Sequence, residues 1–238
     1  MELHFLGRGA AFNPLEGNTS AYYREGDRLL LIDCGESVFT EFIRRGLFEG
    51  VGQLWIAVSH FHSDHCGSLG SVVLYCAEIL HIPVHILLPK GDERYETEMR
   101  QLLQLFGVSD ECFQFDAEGT LQAFTGFSSM SFCRTKHAPG MICYSFSFDT
   151  PEGGLFYTAD TATADGIRAF IAAHPCFERI YTEGIDAPNH PVHLPLHELA
   201  DAVPEQLRGK VRLMHLNGAN CEQAAKALGF SAVQTENA

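Results

Sequence analysis

The chain has 238 residues, 46% hydrophobic and 19% charged, an ordinary globular composition long enough for one large core or two small ones. Sixteen basic residues stand against 30 acidic ones, a formal charge of -14. Binding a long nucleic acid relies on Lys and Arg displacing counterions, so that partner is disfavoured and a small anionic substrate is expected.

No apolar run reaches the roughly 18–20 residues of a membrane span. No basic region precedes an apolar segment at the N-terminus. Eight cysteines lie scattered without a C-x-x-C pair, so reduced thiols and a cytoplasmic location are expected.

In chain order, Leu3–Leu6 reads as a strand and the glycine-rich segment to Gly17 as a loop. Strands are predicted over Thr19–Arg24 and Arg28–Ile32, joined by the hairpin signal Glu25-Gly26-Asp27. A helix over Ser37–Arg45 carries Val38, Phe39, Phe42 and Ile43 on one face and stops at Gly46. Leu54–Val58 reads as a buried strand. Ser68–Leu80 is apolar nearly all round, as a well-buried helix would be. A strand over Pro83–Leu88 and an amphipathic helix over Asp92–Phe106 follow.

Strands are then predicted over Cys112–Phe115, Thr120–Phe124, Ser128–Lys136, Ile142–Phe148 and Leu155–Thr158. Alternation resumes with a helix over Thr163–Ala173, a strand over Arg179–Thr182 and a helix over Pro195–Leu207. Strand Val211–Met214, helix Ala219–Leu228 and a last short strand complete the chain. Both halves begin with strands and go on to alternate strands with helices, and no linker or repeat divides them. The expected fold is a single α/β (α+β) domain over 1–238, a four-layer αββα sandwich of two mixed sheets with helices outside.

The stretch Ser59-His60-Phe61-His62-Ser63-Asp64-His65-Cys66-Gly67 carries the chemistry. Neutral imidazole and carboxylate are first-choice ligands for zinc and related ions. His60 and His62, two apart in extended chain, project to the same side. Asp64 and His65 follow the turn and can face a second ion. Three more ligand-type residues, His137, Asp160 and His215, each sit just beyond a predicted strand. Singly, a residue so placed is commonly a turn or cap; together they can converge on one sheet edge.

Ser59–Gly67, Thr135-Lys136-His137, Tyr157-Thr158-Ala159-Asp160 and Leu213-Met214-His215-Leu216 together resemble the metallo-β-lactamase superfamily. The resemblance spans nearly the whole chain. Phe5-Leu6-Gly7, Asn18-Thr19-Ser20 and Leu31-Ile32-Asp33-Cys34-Gly35 are similar to the opening of its RNase Z-like branch. The resemblance implies two divalent metal ions, zinc or manganese foremost and iron as a further option. It implies His60, His62 and His137 on the first ion, Asp64, His65 and His215 on the second, and Asp160 bridging them. Asp33 would support the histidine loop from behind. The branch also has a Glu…His pair, matched here by Glu183 and His193, with His193 the expected general acid and His197 the residue most easily confused with it. His4, His81, His85, His174 and His190 have no matching context and are read as structural or exposed.

The implied activity is hydrolysis of a small or cyclic phosphodiester by a hydroxide shared between the ions. Asp64 and Asp160 would serve the chemistry as well as the metals. The tRNA-processing members carry a basic arm between the residues matching His137 and Asp160. This chain has no length for one, which sets an armless tRNA 3′-processing endonuclease behind the phosphodiesterase. The other alternative is a carboxylic substrate (lactone, thioester or β-lactam), which has less need of Glu183 and His193. An iron-based redox centre would need a partner flavin domain, and a non-catalytic metal protein would not need the full ligand set. Phe61, Ser63, Met141, Tyr144 and Asn217 are candidate pocket residues, and exposed apolar helix faces would permit a homodimer.

Overall fold

The computed structural model describes residues 1–118, 121 and 123–235. Strands β1 (His4–Gly7), β2 (Ser20–Glu25), β3 (Arg28–Ile32), β4 (Gln53–Ala57), β5 (Val84–Leu88) and β6 (Gln114–Ala117) form one sheet in chain order. The second sheet holds β7 (Ser129–Arg134), β8 (Tyr144–Asp149), β9 (Leu155–Tyr157), β10 (Arg179–Thr182), β11 (Val211–Leu213) and β12 (Ser231–Ala232), also in consecutive order.

In each sheet the first three strands form an antiparallel meander and the later pairs are parallel. The meanders need only tight turns; at β2–β3, Gly26 takes φ 63° to close a two-residue hairpin. Parallel neighbours need crossovers. Helices occupy most of them: α1 (Val38–Arg44), α2 (Ser63–Cys66), α3 (Leu69–Leu74), α4 (Glu93–Leu105), α5 (Asp165–Ala173), α6 (Leu196–Ala202) and α7 (Ala219–Ala227).

The layers follow from side-chain alternation. Leu155 and Tyr157 of β9 and Tyr181 of β10 belong to the core that also takes in the first sheet, where Phe5 packs 5.2 Å from Tyr181. Phe156 and Ile180, pointing the other way, join Ile167, Phe170, Leu199 and Ala225 of α5, α6 and α7. Two mixed sheets face one another with helices outside, the αββα sandwich expected from the sequence.

Three elements differ from expectation. Of the strand predicted over Thr120–Phe124, Thr120 and Gln122 lie outside the described residues, and Leu121, Ala123 and Phe124 are in no strand. Phe124 is instead buried against Trp55 and Phe127, so its apolarity serves packing rather than a ladder. The helix predicted to Leu207 ends at Ala202, because Pro204 has no amide hydrogen and its ring clashes with the preceding turn. Glu205–Lys210 continues as a tighter 3-10 turn. The helix predicted over Ser68–Leu80 forms as α3 and then widens to a π-helical run over Tyr75–Leu80.

Candidate metal centre

Strands β7, β9, β10 and β11 run in the same direction, so their C-terminal ends share one edge of the second sheet. His137, Asp160, Glu183 and His215 lie one to three residues beyond those ends. Asp33 and the Ser59–His62 segment leave β3 and β4, which are parallel in the first sheet. Three of these exits turn sharply. Asp33, Ala159 and His215 adopt φ of 61°, 51° and 55°. Such left-handed conformations cost non-glycine residues on the order of 1–3 kcal/mol each and persist where the surroundings impose them.

Hydrogen bonds hold the exits in place. The buried Tyr95 hydroxyl donates to the Val58 carbonyl, and the Tyr144 amide donates to Ser59 O at 3.0 Å. The Cys34 amide donates to His65 O at 2.7 Å, bringing the β3 exit against α2. Gly35 permits this approach, since a Cβ there would lie 2.0 Å from the Asp64 carbonyl oxygen. Asp64 and His65, expected merely beyond a turn, sit on the short helix α2, which aims both inward.

Three overlapping donor groups result, two of which take in the histidine loop. In the first, His62 Nδ1 lies 3.0 Å from His60 Nε2 and 3.2 Å from His137 Nε2, and His137 Nε2 is 3.5 Å from Asp160 Oδ2. In the second, Asp64 Oδ2 lies 3.4 Å from His65 Nε2 and 3.3 Å from His215 Nε2. Asp160 closes that group, with Oδ1 3.2 Å from His65 Nε2 and Oδ2 3.3 Å from His215 Nε2. A tetrahedral ion with bonds of about 2.0–2.2 Å sets its donors about 3.3–3.6 Å apart. The second group's spacings fall close to that range, while in the first the His60–His62 distance is shorter at 3.0 Å and His60 Nε2 lies 4.0 Å from Asp160 Oδ2.

The tautomers fit as well. Ser59 Oγ donates to Asp33 Oδ2 at 3.0 Å, so it accepts from His60 Nδ1 at 2.9 Å. His65 Nδ1 donates to Asp33 Oδ2 at 2.9 Å, and His137 Nδ1 to Val192 O at 2.6 Å. Each of these rings is left with a bare Nε2 lone pair directed at its donor group. His65 Nε2 and Asp160 Oδ1 are buried without hydrogen-bond partners among the described residues. A bare lone pair facing two carboxylates is repelled unless positive charge lies among them, which a proton on the ring or a bound divalent ion would supply.

The electrostatics show the same demand for positive charge among the carboxylates. Burial works against a charge on His65, yet Asp160 and Asp33 hold its pKa well above the usual range. Burial would raise Asp160, but His215 and His65 hold it well below the usual carboxylate range. Glu183 goes the opposite way, pushed well above its ordinary value by burial and by the Asp160 charge.

His193 Nδ1 lies 2.8 Å from Glu183 Oε2, and the other Glu183 oxygen accepts from the Thr161 amide. His193 lines a cleft of about 670 Å³ together with His62, Asp64, Asp160 and His215. His197 does not; it is exposed on α6. Of the candidate pocket residues, Ser63 and Asn217 line the cleft and Phe61, Met141 and Tyr144 do not. Phe61 stacks on Tyr95 and Tyr144 bonds Asp92.

His190, read from sequence as structural or exposed, lines the cleft too. Its Nδ1 accepts from the His193 amide at 3.1 Å, bracing the loop that carries His193. The His190-x-x-His193 spacing was the available signal, and only the loop's fold gives it meaning. Phe12, Asn13 and Glu36 of the lining carried no signal in sequence.

Comparison with known proteins agrees with this geometry. A family model described as Anti-Pycsar protein Apyc1 matches residues 1–237. An Anti-Pycsar protein Apyc1 of Bacillus phage 010DV004 is 30% identical over 242 residues, covering 90% of this chain and 88% of that protein. The metallo-β-lactamase fold protein YhfI from Bacillus subtilis superposes with a TM-score of 0.71 at 20% identity, over 97% of this chain and 93% of YhfI. Human tRNase Z, short form, superposes with a TM-score of 0.64 at 19% identity, over 99% of this chain and 97% of that one. The fold is that of the metallo-β-lactamases, and the chain belongs to the Anti-Pycsar protein Apyc1 family of metallo-β-lactamase-fold hydrolases.

Proposed function

We propose that the protein is a phosphodiesterase that opens a small cyclic phosphodiester, a cyclic mononucleotide, with two divalent ions. His60, His62 and His137 would hold one ion and Asp64, His65 and His215 the other, with Asp160 shared. Imidazole and carboxylate donors suit zinc or manganese and also accept iron. When bound, such ions activate a water molecule and offset the charge of the phosphate oxygens.

The Glu183–His193 pair, 2.8 Å apart beside the donor groups, carries the phosphodiesterase reading. A phosphodiester departs as an alkoxide, which needs a proton as the P–O bond breaks. His193, its Nδ1 committed to Glu183, would deliver that proton from Nε2. Glu183 would hold the ring in that orientation. Asp160, with Asp64 beside it, would orient the attacking water and take its proton. The water oxygen bonds phosphorus while the ester oxygen leaves protonated.

The cleft supports a small monoanion. Its volume of about 670 Å³ lies within the ordinary range for small-molecule sites. Among the described residues that line it there is no Lys or Arg, while Glu36, Asp64 and Asp160 are present. A polyanion would find no side-chain counter-charge there. Between His137 and Asp160 the chain forms β8, β9 and their turns, which leaves no length for an RNA-gripping arm.

The test pairs elemental analysis of the purified protein with hydrolysis assays on 3′,5′-cyclic nucleotides, a tRNA precursor, and thioester and β-lactam reporters. Ring opening that chelation abolishes and zinc or manganese restores is the expected result. Metal-loaded protein that leaves every cyclic nucleotide intact, or that prefers the tRNA or a carboxylic reporter, overturns the reading.

A further inference from the structure

Phe12 is 99% exposed, and its neighbour Leu15 is 96% exposed. A phenyl ring bared to water gains by folding back onto apolar surface, so a rigid loop that holds it out needs a reason. This loop is pinned. The Ala10 amide and Asn13 Nδ2 both donate to Leu216 O, at 3.0 and 2.9 Å, and the Leu216 amide donates to Arg8 O at 2.7 Å. The Gly9 amide donates to Gly17 O at 2.8 Å, closing the base of the loop. Leu216 directly follows His215, so the loop and a metal donor are tied into one unit.

Phe12 lines the same cleft as the donor groups; Leu15 does not. Ala10, Ala11, Ile185 and Val192 add further apolar lining to the cleft that also holds the donors. A substrate whose phosphate sits on the donors has its remaining, flat portion to place against that apolar lining.

We infer that Phe12 is the platform on which the base of the cyclic nucleotide stacks, a reading that rests on the phosphodiesterase assignment above. An aromatic face takes any base, because every base offers a π-face, and the benzene ring has no donor or acceptor to choose among them. Phe12 therefore adds affinity without selecting purine over pyrimidine.

Steady-state kinetics on metal-loaded protein test this with two substrates. One is a 3′,5′-cyclic nucleotide, and the other is 1-O-methylribose 3′,5′-cyclic phosphate, which keeps the ring phosphate and lacks the base. Phe12→Ala is expected to raise KM for the nucleotide about 10-fold, with kcat and all base-free kinetics unchanged. Phe12→Trp restores the nucleotide KM, and Leu15→Ala behaves as wild type. An unchanged nucleotide KM overturns the inference, as does an equal loss on both substrates. So does a change in molar mass by light scattering in Phe12→Ala, which would make the ring a contact between subunits. Wild-type protein inert to the nucleotide defeats the phosphodiesterase reading itself, whereas turnover indifferent to Phe12 defeats only this inference.

Discussion

Asp33 Oδ2 lies 2.9 Å from His65 Nδ1, while Asp33 Oδ1 accepts the Ser59 amide at 2.7 Å. One buried carboxylate, held at a left-handed φ of 61°, thereby sets both the tautomer of a candidate ligand and the path of the chain into the histidine loop. Supporting partners of this kind typically matter 10–100-fold in metal affinity or activity. Asp33→Ala is expected to weaken zinc binding by about that factor, read by competition with a chromophoric chelator. Wild-type zinc affinity in a folded Asp33→Ala protein would show that the carboxylate serves packing alone.

His193 can act as an acid or as a ligand, because His137, Asp160, Glu183 and His193 also fall within 4.8 Å of one another. As the acid, His193→Ala lowers kcat by about 10²–10⁴-fold with metal content intact. Glu183→Gln gives a smaller loss. Elemental analysis alongside kinetics separates the two roles: metal and activity lost in step would assign His193 to an ion.

Asp92 begins α4, with Oδ1 accepting the Tyr95 amide at 3.0 Å. Oδ2 accepts the Tyr144 hydroxyl at 2.6 Å and Arg134 at 3.1 Å. Burial would raise its pKa, but these bonds and the Arg134 charge outweigh it and hold the carboxyl below 3.8. A depressed folded pKa means the ionised form contributes stability above the unfolded value, lost as pH falls through the folded one. Asp92→Asn can still cap the helix but carries no charge. The gap in denaturation midpoint between wild type and Asp92→Asn is expected at pH 7 and shrinks below about pH 4. A gap independent of pH would mean the charge contributes nothing.

Burial pushes the Cys34, Cys66 and Cys76 thiols up to about 12, and the Cys143 and Cys221 thiols to about 11. Cys176 is exposed. The thiolate is the reactive form, so native protein at pH 8 is expected to titrate one thiol rapidly with Ellman's reagent. Cys176→Ser should remove that phase, and denaturant should release the others. Several fast thiols in the native state would contradict this burial.

The candidate ligands were legible in the sequence because His60–His65 crowds its donors into six residues straight after the apolar run Leu54–Val58, and His137, Asp160 and His215 each lie just beyond a predicted strand. The sandwich was legible from alternation and from the order of strands and helices. Two of the three elements that differ, Thr120–Phe124 and the end of the Pro195 helix, have local causes: apolar residues packing outside any ladder, and Pro204 stopping a helix.

What the sequence by itself determined is the inventory of donors, their positions at strand ends, the acidic charge balance and the short stretch between His137 and Asp160. Tertiary structure alone decided which donors share a group, that His193 rather than His197 faces the cleft, and that His190 and Phe12 belong to its lining. The physical reason is distance along the chain. His137 bonds Val192 O across 55 residues, and His215 meets Asp64 across 151. No local pattern encodes such pairs; the packing of two sheets edge by edge creates them.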